Sequence, residues 1–334
     1  PPPPPPLPPP PFEADHVRYA LQRFVQFLIV FVIVTFLVMV AIRAGRDNVA
    51  VEMTGGFAAP ERVQEISDQY KLEEPYPVQY VFWLKNLVTL DLGRSELLSA
   101  DVKTLIEQRA PMTILLGFYA IVVALVIAVP LGVLSAYRRD SWFDKAGSTL
   151  SFGFVSLPNL VLGILLLFLF AVHWGWFPAD SEKIWPWDDP WEHFRNMALP
   201  TLTLALGLAA IFTRLLRADM INTLQSDFIT LARAKGMSPQ RILWRHALRS
   251  SLFSLVTSVA LQLGALLGGA VVIETIFSLP GMGDLLVLGV QRNDLLVVQA
   301  CAALFALAVV LVNFLVDLLY AVIDPRIRHA RALG

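Results

Sequence analysis

Long apolar runs constrain this chain more than any other feature. Six stretches, approximately 24–42, 112–136, 150–174, 197–216, 252–274 and 298–322, match the ~20 residues a helix needs to cross a ~30 Å hydrocarbon core. Of 334 residues, 56% are apolar and 16% charged, against about 45–50% and 25% in soluble domains. A water-soluble enzyme and a disordered scaffold are both excluded. The net charge of −1 gives no footing for nucleic acid. The single cysteine, Cys301, rules out a disulfide framework and reads as a small inert hydrophobe. The expected fold is an all-α integral membrane protein of six transmembrane helices.

Charge sets the expected orientation. Six spans leave both termini on one side, with the loops 137–149 and 217–251. That side holds 15 of the 26 basic residues, counting Arg214 as snorkelling to it, and 8 of the 27 acids. The short loops agree: Arg138, Arg139 and Lys145 lie on one side, and the acid-rich 175–196 on the other. Both termini are therefore expected to be cytoplasmic. The expected organisation is a proline-rich tail at 1–16, a first span at 17–43 read as a retained anchor, an extracytoplasmic segment at 44–110, a five-helix core at 111–328 and a tail at 329–334.

Residues 1–11 are ten prolines broken by Leu7, an extended polyproline stretch that is either a plain tail or a ligand for a proline-reading domain. Within 44–110 the patterning predicts short helices over 60–71 and 77–90. Trp174, Trp176, Trp185, Trp187 and Trp191 suit an aromatic belt at the interface, or rings that bind a solute.

The loop 217–251 is the most informative segment. Asp227 opens a helix-favouring stretch through Ala232, Arg233, Ala234 and Lys235. Gly236 suits a left-handed cap there, and Ser238-Pro239 suits the start of a second, basic helix. A lipid-facing amphipathic hairpin is the plainer alternative. The segment Ala232-Arg233-Ala234-Lys235-Gly236, followed by Arg245-His246-Ala247-Leu248-Arg249, resembles the EAA loop of ABC importer permeases of the dipeptide and oligopeptide class. Four further segments resemble that family in order. They are Asp91-Leu92-Gly93-Arg94-Ser95, Pro130-Leu131-Gly132, Gly269–Phe277 with Pro280-Gly281-Met282-Gly283, and Asn313–Tyr320 with Asp324–Arg328. Thr230 stands where the family has its eponymous Glu, and Ser254 where it has a proline.

The resemblance implies a type I ABC importer permease in the bacterial inner membrane, forming half of a pathway for di- or oligopeptides or nickel-chelate-like solutes. It implies four kinds of partner: a second homologous permease, cytoplasmic ABC ATPase subunits that bind the ATP, an extracytoplasmic solute-binding protein and membrane lipid. Residues 227 and 232–236 would then couple to the ATPase. Gly268, Gly269, Glu274, Phe277 and Asp294 are the pathway candidates. The small-residue stripe around Gly268 also suits ordinary helix packing, and Glu274 suits either a cavity wall or a structural salt bridge. No cofactor or metal is expected, and the chain itself is not expected to be an enzyme, since it has no P-loop, H-E-x-x-H or G-x-S-x-G pattern. The alternative, a six-span intramembrane enzyme or a passive channel, lacks a dyad or a charged ring.

Overall fold

The computed structural model describes residues 14–44, 48–55 and 58–323. The proline run, residues 45–47, the Asp324–Arg328 signature and the tail 329–334 lie outside the described residues, as does the side chain of Asp317. The elements run α1 (Ala14–Arg43), α2 (Val49–Met53), α3 (Pro60–Gln69), α4 (Tyr76–Val88), the paired strands β1 (Arg94–Ser95) and β2 (Ala100–Asp101), and α5 (Val102–Tyr137). They continue with α6 (Trp142–Ser156), α7 (Asn159–Leu166) with a π-helical extension to His173, α8 (Pro190–Leu224) and α9 (Asp227–Ala234). Then α10 (Pro239–Arg241) passes through a π-helical stretch into α11 (Leu248–Ile276), followed by α12 (Met282–Gln291) and α13 (Leu295–Ile323).

Helix α5 packs along α8 over the longest interface in the molecule. Its contact face is Ala120, Ala124, Ala128, Gly132 and Ala136, small residues repeating every four, all buried. This spacing lets two backbones approach closely in a solvent where apolar side chains gain nothing by leaving lipid. A Cβ on Gly132 would lie 3.1 Å from Leu216 of α8. One buried cluster joins α5, α8, α9 and α11, and a second joins α2, α3, α12 and the start of α13.

Among the described residues, five helices are long and apolar enough to cross a membrane. The expected third span is not one straight helix: its arms, α6 and α7 with its extension, meet at 104°. Pro158 is the cause. It forces Leu157 into the extended region (φ −84°, ψ 123°) and supplies no N–H, so α6 stops and α7 restarts. Asn159, the first residue of α7, packs its amide against glycines. A Cβ on Gly269 would sit 3.3 Å from its Nδ2, and one on Gly207 3.5 Å from its Oδ1.

Two expected spans also start earlier than their apolar runs. Helix α5 begins ten residues before Met112, so Pro111 is interior, and the expected division between residues 110 and 111 falls inside a helix. Helix α8 begins at Pro190, where the Asp189 carboxylate accepts the N–H groups of Trp191 and Glu192 at 3.0 Å. Pro200 is thus interior rather than in the first turn. Arg214 is exposed, its guanidinium 5.0 Å from the Phe152 ring.

At the end of the molecule bearing α9, Asp144 of α6 receives Arg217 of α8 through two bonds, Nε to Oδ1 at 2.5 Å and Nη2 to Oδ2 at 2.7 Å. The Asp140 N–H donates to the same carboxylate at 2.9 Å. Asp144 is buried and Arg217 is about a quarter exposed. Asp144→Ala, by stranding Arg217, is expected to cost about 3 kcal/mol, the low end of the range for breaking a buried pair. The double replacement Asp144→Leu with Arg217→Met should recover most of it. Thermal unfolding of the purified protein in detergent compares the two. Equal losses would show that the lost hydrogen-bonded pair itself, not stranded charge, sets the cost.

Candidate functional site

Helix α9 and the turn after it form a hairpin at one end of the bundle. The helix ends in a Schellman motif: the Gly236 N–H donates to Arg233 O at 2.9 Å and the Met237 N–H to Ala232 O at 3.3 Å. Gly236 has φ +74°, the left-handed conformation expected there, and a Cβ on it would meet nothing within 4 Å. One face of α9 is anchored. Ile229 and Ala232 are buried in the cluster that includes Met220 of α8 and Ile242, Leu243 and Ala247 of the next helical stretch. The other face presents Phe228 and Leu231, 48% and 57% exposed, together with exposed Asp227, Thr230, Arg233, Ala234 and Lys235. Arg241, Trp244, Arg245 and Arg249 extend this exposed basic and apolar surface. An apolar patch rimmed by cations suits contact with a protein or with a membrane surface.

The opposite end is built on Glu274. Helix α11 stops at Ile276, Ser278 turns the chain at φ +50°, and α12 starts with Gly281 at its N-cap, a residue with no side chain to offer the first amides. Groups distant in sequence cap it instead. Glu274 Oε2 accepts the N–H of Gly283 at 2.6 Å and of Asp284 at 3.2 Å, and Thr113 Oγ1 of α5 accepts that of Met282 at 2.8 Å. The carboxylate faces the positive end of the helix dipole. A Cβ on Gly281 would overlap the Glu274 carboxylate, and one on Gly283 would overlap the Val271 Cα. The Pro-Gly-x-Gly run therefore exists so that two backbones and a carboxylate can meet. Asp284 then pairs with Arg109 of α5 at 2.5 Å.

The sequence left a cavity wall or a salt bridge open for Glu274. Here it is fully buried against α12, and no Lys or Arg among the described residues pairs with it. Phe277 is also fully buried, and its carbonyl accepts the Ser181 N–H at 2.8 Å, which ties down the loop before α8. Asp294 starts α13, accepting the Val297 N–H at 3.3 Å and the Ser95 hydroxyl. Gly269 contacts Leu204 and Asn159, whereas Gly268 faces open space. The pathway candidates thus divide into an exposed residue, Gly268, a half-buried one, Gly269, and a buried supporting set of Glu274, Phe277 and Asp294. Sequence reasoning missed Thr113, Asn159 and the α5 seam. The four-residue repeat of Ala and Gly was the available signal for the seam; a lone Thr or Asn in an apolar run carried none.

Glu274→Ala leaves the buried Gly283 N–H and the half-buried Asp284 N–H without this acceptor and is expected to cost about 3 kcal/mol. Glu274→Gln, which keeps one acceptor oxygen, should cost distinctly less. Gly283→Ala should destabilise strongly and Gly268→Ala should not, since alanine is the better helix former by about 0.5–1 kcal/mol where space allows. Thermal stability in detergent ranks the four. A harmless Gly283→Ala would refute the close approach.

Comparison with known proteins places this architecture. The family model described as binding-protein-dependent transport system inner membrane component matches residues 128–329, and its N-terminal companion matches residues 16–117. A Brucella abortus protein named as a peptide transport system permease is 39% identical over 309 residues, covering 92% of this chain and 98% of the relative. The dipeptide transport system permease protein of Bacillus subtilis is 35% identical, covering 93% and 98%. The glutathione transport system permease protein of Pectobacterium atrosepticum is 34% identical, covering 94% and 99%. A solved chain of the MetNI methionine ABC transporter, in inward-facing conformations, has a TM-score of 0.52 at 20% identity and covers 66% of this chain and 96% of its own. The chain belongs to the family of binding-protein-dependent transport system inner membrane components, the multi-pass permease subunits of ABC importers.

Proposed function

We propose that this chain forms half of the translocation pathway of an importer for di- or oligopeptides or closely related solutes, with both termini cytoplasmic. A second homologous permease completes the pathway, cytoplasmic ATPase subunits seat on the α9 hairpin, and a solute-binding protein docks at the end bearing α2–α4 and α12. The names of the relatives support the solute class: peptide, dipeptide and glutathione permeases, each matched over nearly its whole length.

The observation that carries the reading is the two-faced helix α9. Its outward face is a partner surface, and its inward face is locked into the cluster shared by α8 and α11. A push on α9 therefore reaches two spans through Ile229, which is the linkage an ATP-driven change between discrete states needs. The pathway wall falls to the exposed Gly268 face of α11, where the missing side chain at Gly268 leaves room for a solute or for the second subunit. Glu274, Phe277 and Asp294 act behind it by fixing the end of α11, α12 and the start of α13.

Two variants separate docking from transmission. Leu231→Asp should leave the chain inserted and stable but reduce co-purification of the ATPase at least tenfold. Ile229→Ala, which leaves the exposed face intact, should retain the ATPase but lower uptake and its coupled ATP hydrolysis. Co-purification and uptake assays in the same proteoliposome preparation check both. Normal uptake and normal ATPase retention by both variants would remove α9 as the coupling element.

A further inference from the structure

A cavity of about 320 Å³ lies between the end of α1 and helices α2, α3 and α4, lined among others by Arg43, Asn48, Ser67, Glu73, Tyr76 and Gln79. Arg43 is only 6% exposed, yet its Nε and Nη1 are buried with no hydrogen-bond partner among the described residues. Gln79 is the converse. Its Nε2 donates to the carbonyls of Leu72 at 2.9 Å and Glu74 at 2.5 Å, which fixes the amide and leaves Oε1 buried without a donor. A buried guanidinium without an acceptor and an amide oxygen without a donor are both costly. Both residues line one space large enough for a small polar ligand. Glu73 lines the same space, so the fixed charges of the described lining residues sum to zero, which favours a zwitterion over a bare anion.

Position says where such a ligand comes from. Arg43 is the last residue of the first membrane-crossing helix. Helix α4 lies beside that helix well inside its length. The Tyr80 hydroxyl meets Thr35 Oγ1 at 2.8 Å and the Val32 carbonyl at 3.2 Å, about 12 and 16 Å along the axis before Arg43 at 1.5 Å per residue. Val78, Val81 and Val88 of α4 are exposed at 43%, 66% and 77%, with the exposed Lys85 among them, an apolar stripe carrying one cation that suits the boundary between acyl chains and headgroups. The cavity therefore opens where headgroups sit.

We propose that it holds the zwitterionic headgroup of a phosphatidylethanolamine-type lipid, with the phosphate on Arg43 and the ammonium directed to Glu73 and Gln79 Oε1.

The test uses the purified transporter complex, delipidated in detergent and offered phosphatidylethanolamine, phosphatidylglycerol or inorganic phosphate, with retained lipid counted by native mass spectrometry. The complex should retain phosphatidylethanolamine at least fivefold over phosphatidylglycerol. Arg43→Met should reduce this to background while the complex stays assembled. Glu73→Gln, at an exposed position, should cut the preference at least threefold without lowering total lipid retention, and it serves even if Arg43→Met does not assemble. Equal retention of the two lipids would overturn the proposal, as would a preference unchanged in Glu73→Gln. Displacement of the lipid by millimolar inorganic phosphate would make this a free-anion site and overturn the lipid assignment.

Discussion

The hydrogen bonds from the first amides of α12 to Glu274 and Thr113 hold one end of this molecule together. Lipid offers no hydrogen bonds, so a helix that begins close to the membrane must find its capping groups within the chain. Gly281 has none to give, because any side chain there would collide with the carboxylate. Once Glu274 is fixed, Met282 to Asp284 are fixed, Asp284 reaches Arg109, and the first helix of the pair is tied to α5. Asp294 repeats the logic at the next helix start, joining α13 to β1 through Ser95. The buried carboxylates thus sit where helices begin rather than along their lengths.

The sequence was most legible where one physical signal dominated. Apolar run length located the five long helices and the two arms of the bent pair, and Gly236 announced its left-handed cap because glycine takes that conformation without the Cβ penalty other residues bear. The short helices expected at 60–71 and 77–90 correspond to α3 and α4. Boundaries were less legible, because a membrane helix continues past its apolar run wherever polar residues can reach water. Helix α5 begins at Val102 and α8 at Pro190 for that reason. Prolines act in both directions. Pro200 sits inside a continuous helix, whereas Pro158 breaks one; only the packing of Asn159 between Gly207 and Gly269 explains why the chain accepts a bend at 158. The role of Glu274 was hidden because its partners are backbone amides, which carry no residue identity.

The two ends of the molecule contrast in how they are held. At the α12 end, charge and amide dipoles fix the chain through directional bonds. At the α9 end, apolar packing around Ile229 does most of the holding, with the Asp144–Arg217 pair beside it. Directional bonds resist sliding, whereas apolar side chains can slip by a rotamer with little loss. The hairpin end is thus the more deformable of the two in kind. This agrees with a proposed mechanism in which the push enters there.

The bend at Leu157-Pro158 also governs how the protein is made. Each arm contributes about fifteen helical residues, or roughly 22 Å, which is short of a ~30 Å hydrocarbon core. Neither arm is a competent membrane segment alone, and the break between them carries Pro158 and the polar Asn159. What makes that region tolerable is the glycine-lined surface of α8 and α11, and both helices are synthesised later. The third span therefore reaches its final place only after a helix translated well behind it has arrived. The α6–α7 segment is expected to settle only once α8 and α11 are in place, and a chain cut short before residue 269 should leave Asn159 without the glycine surface it packs against.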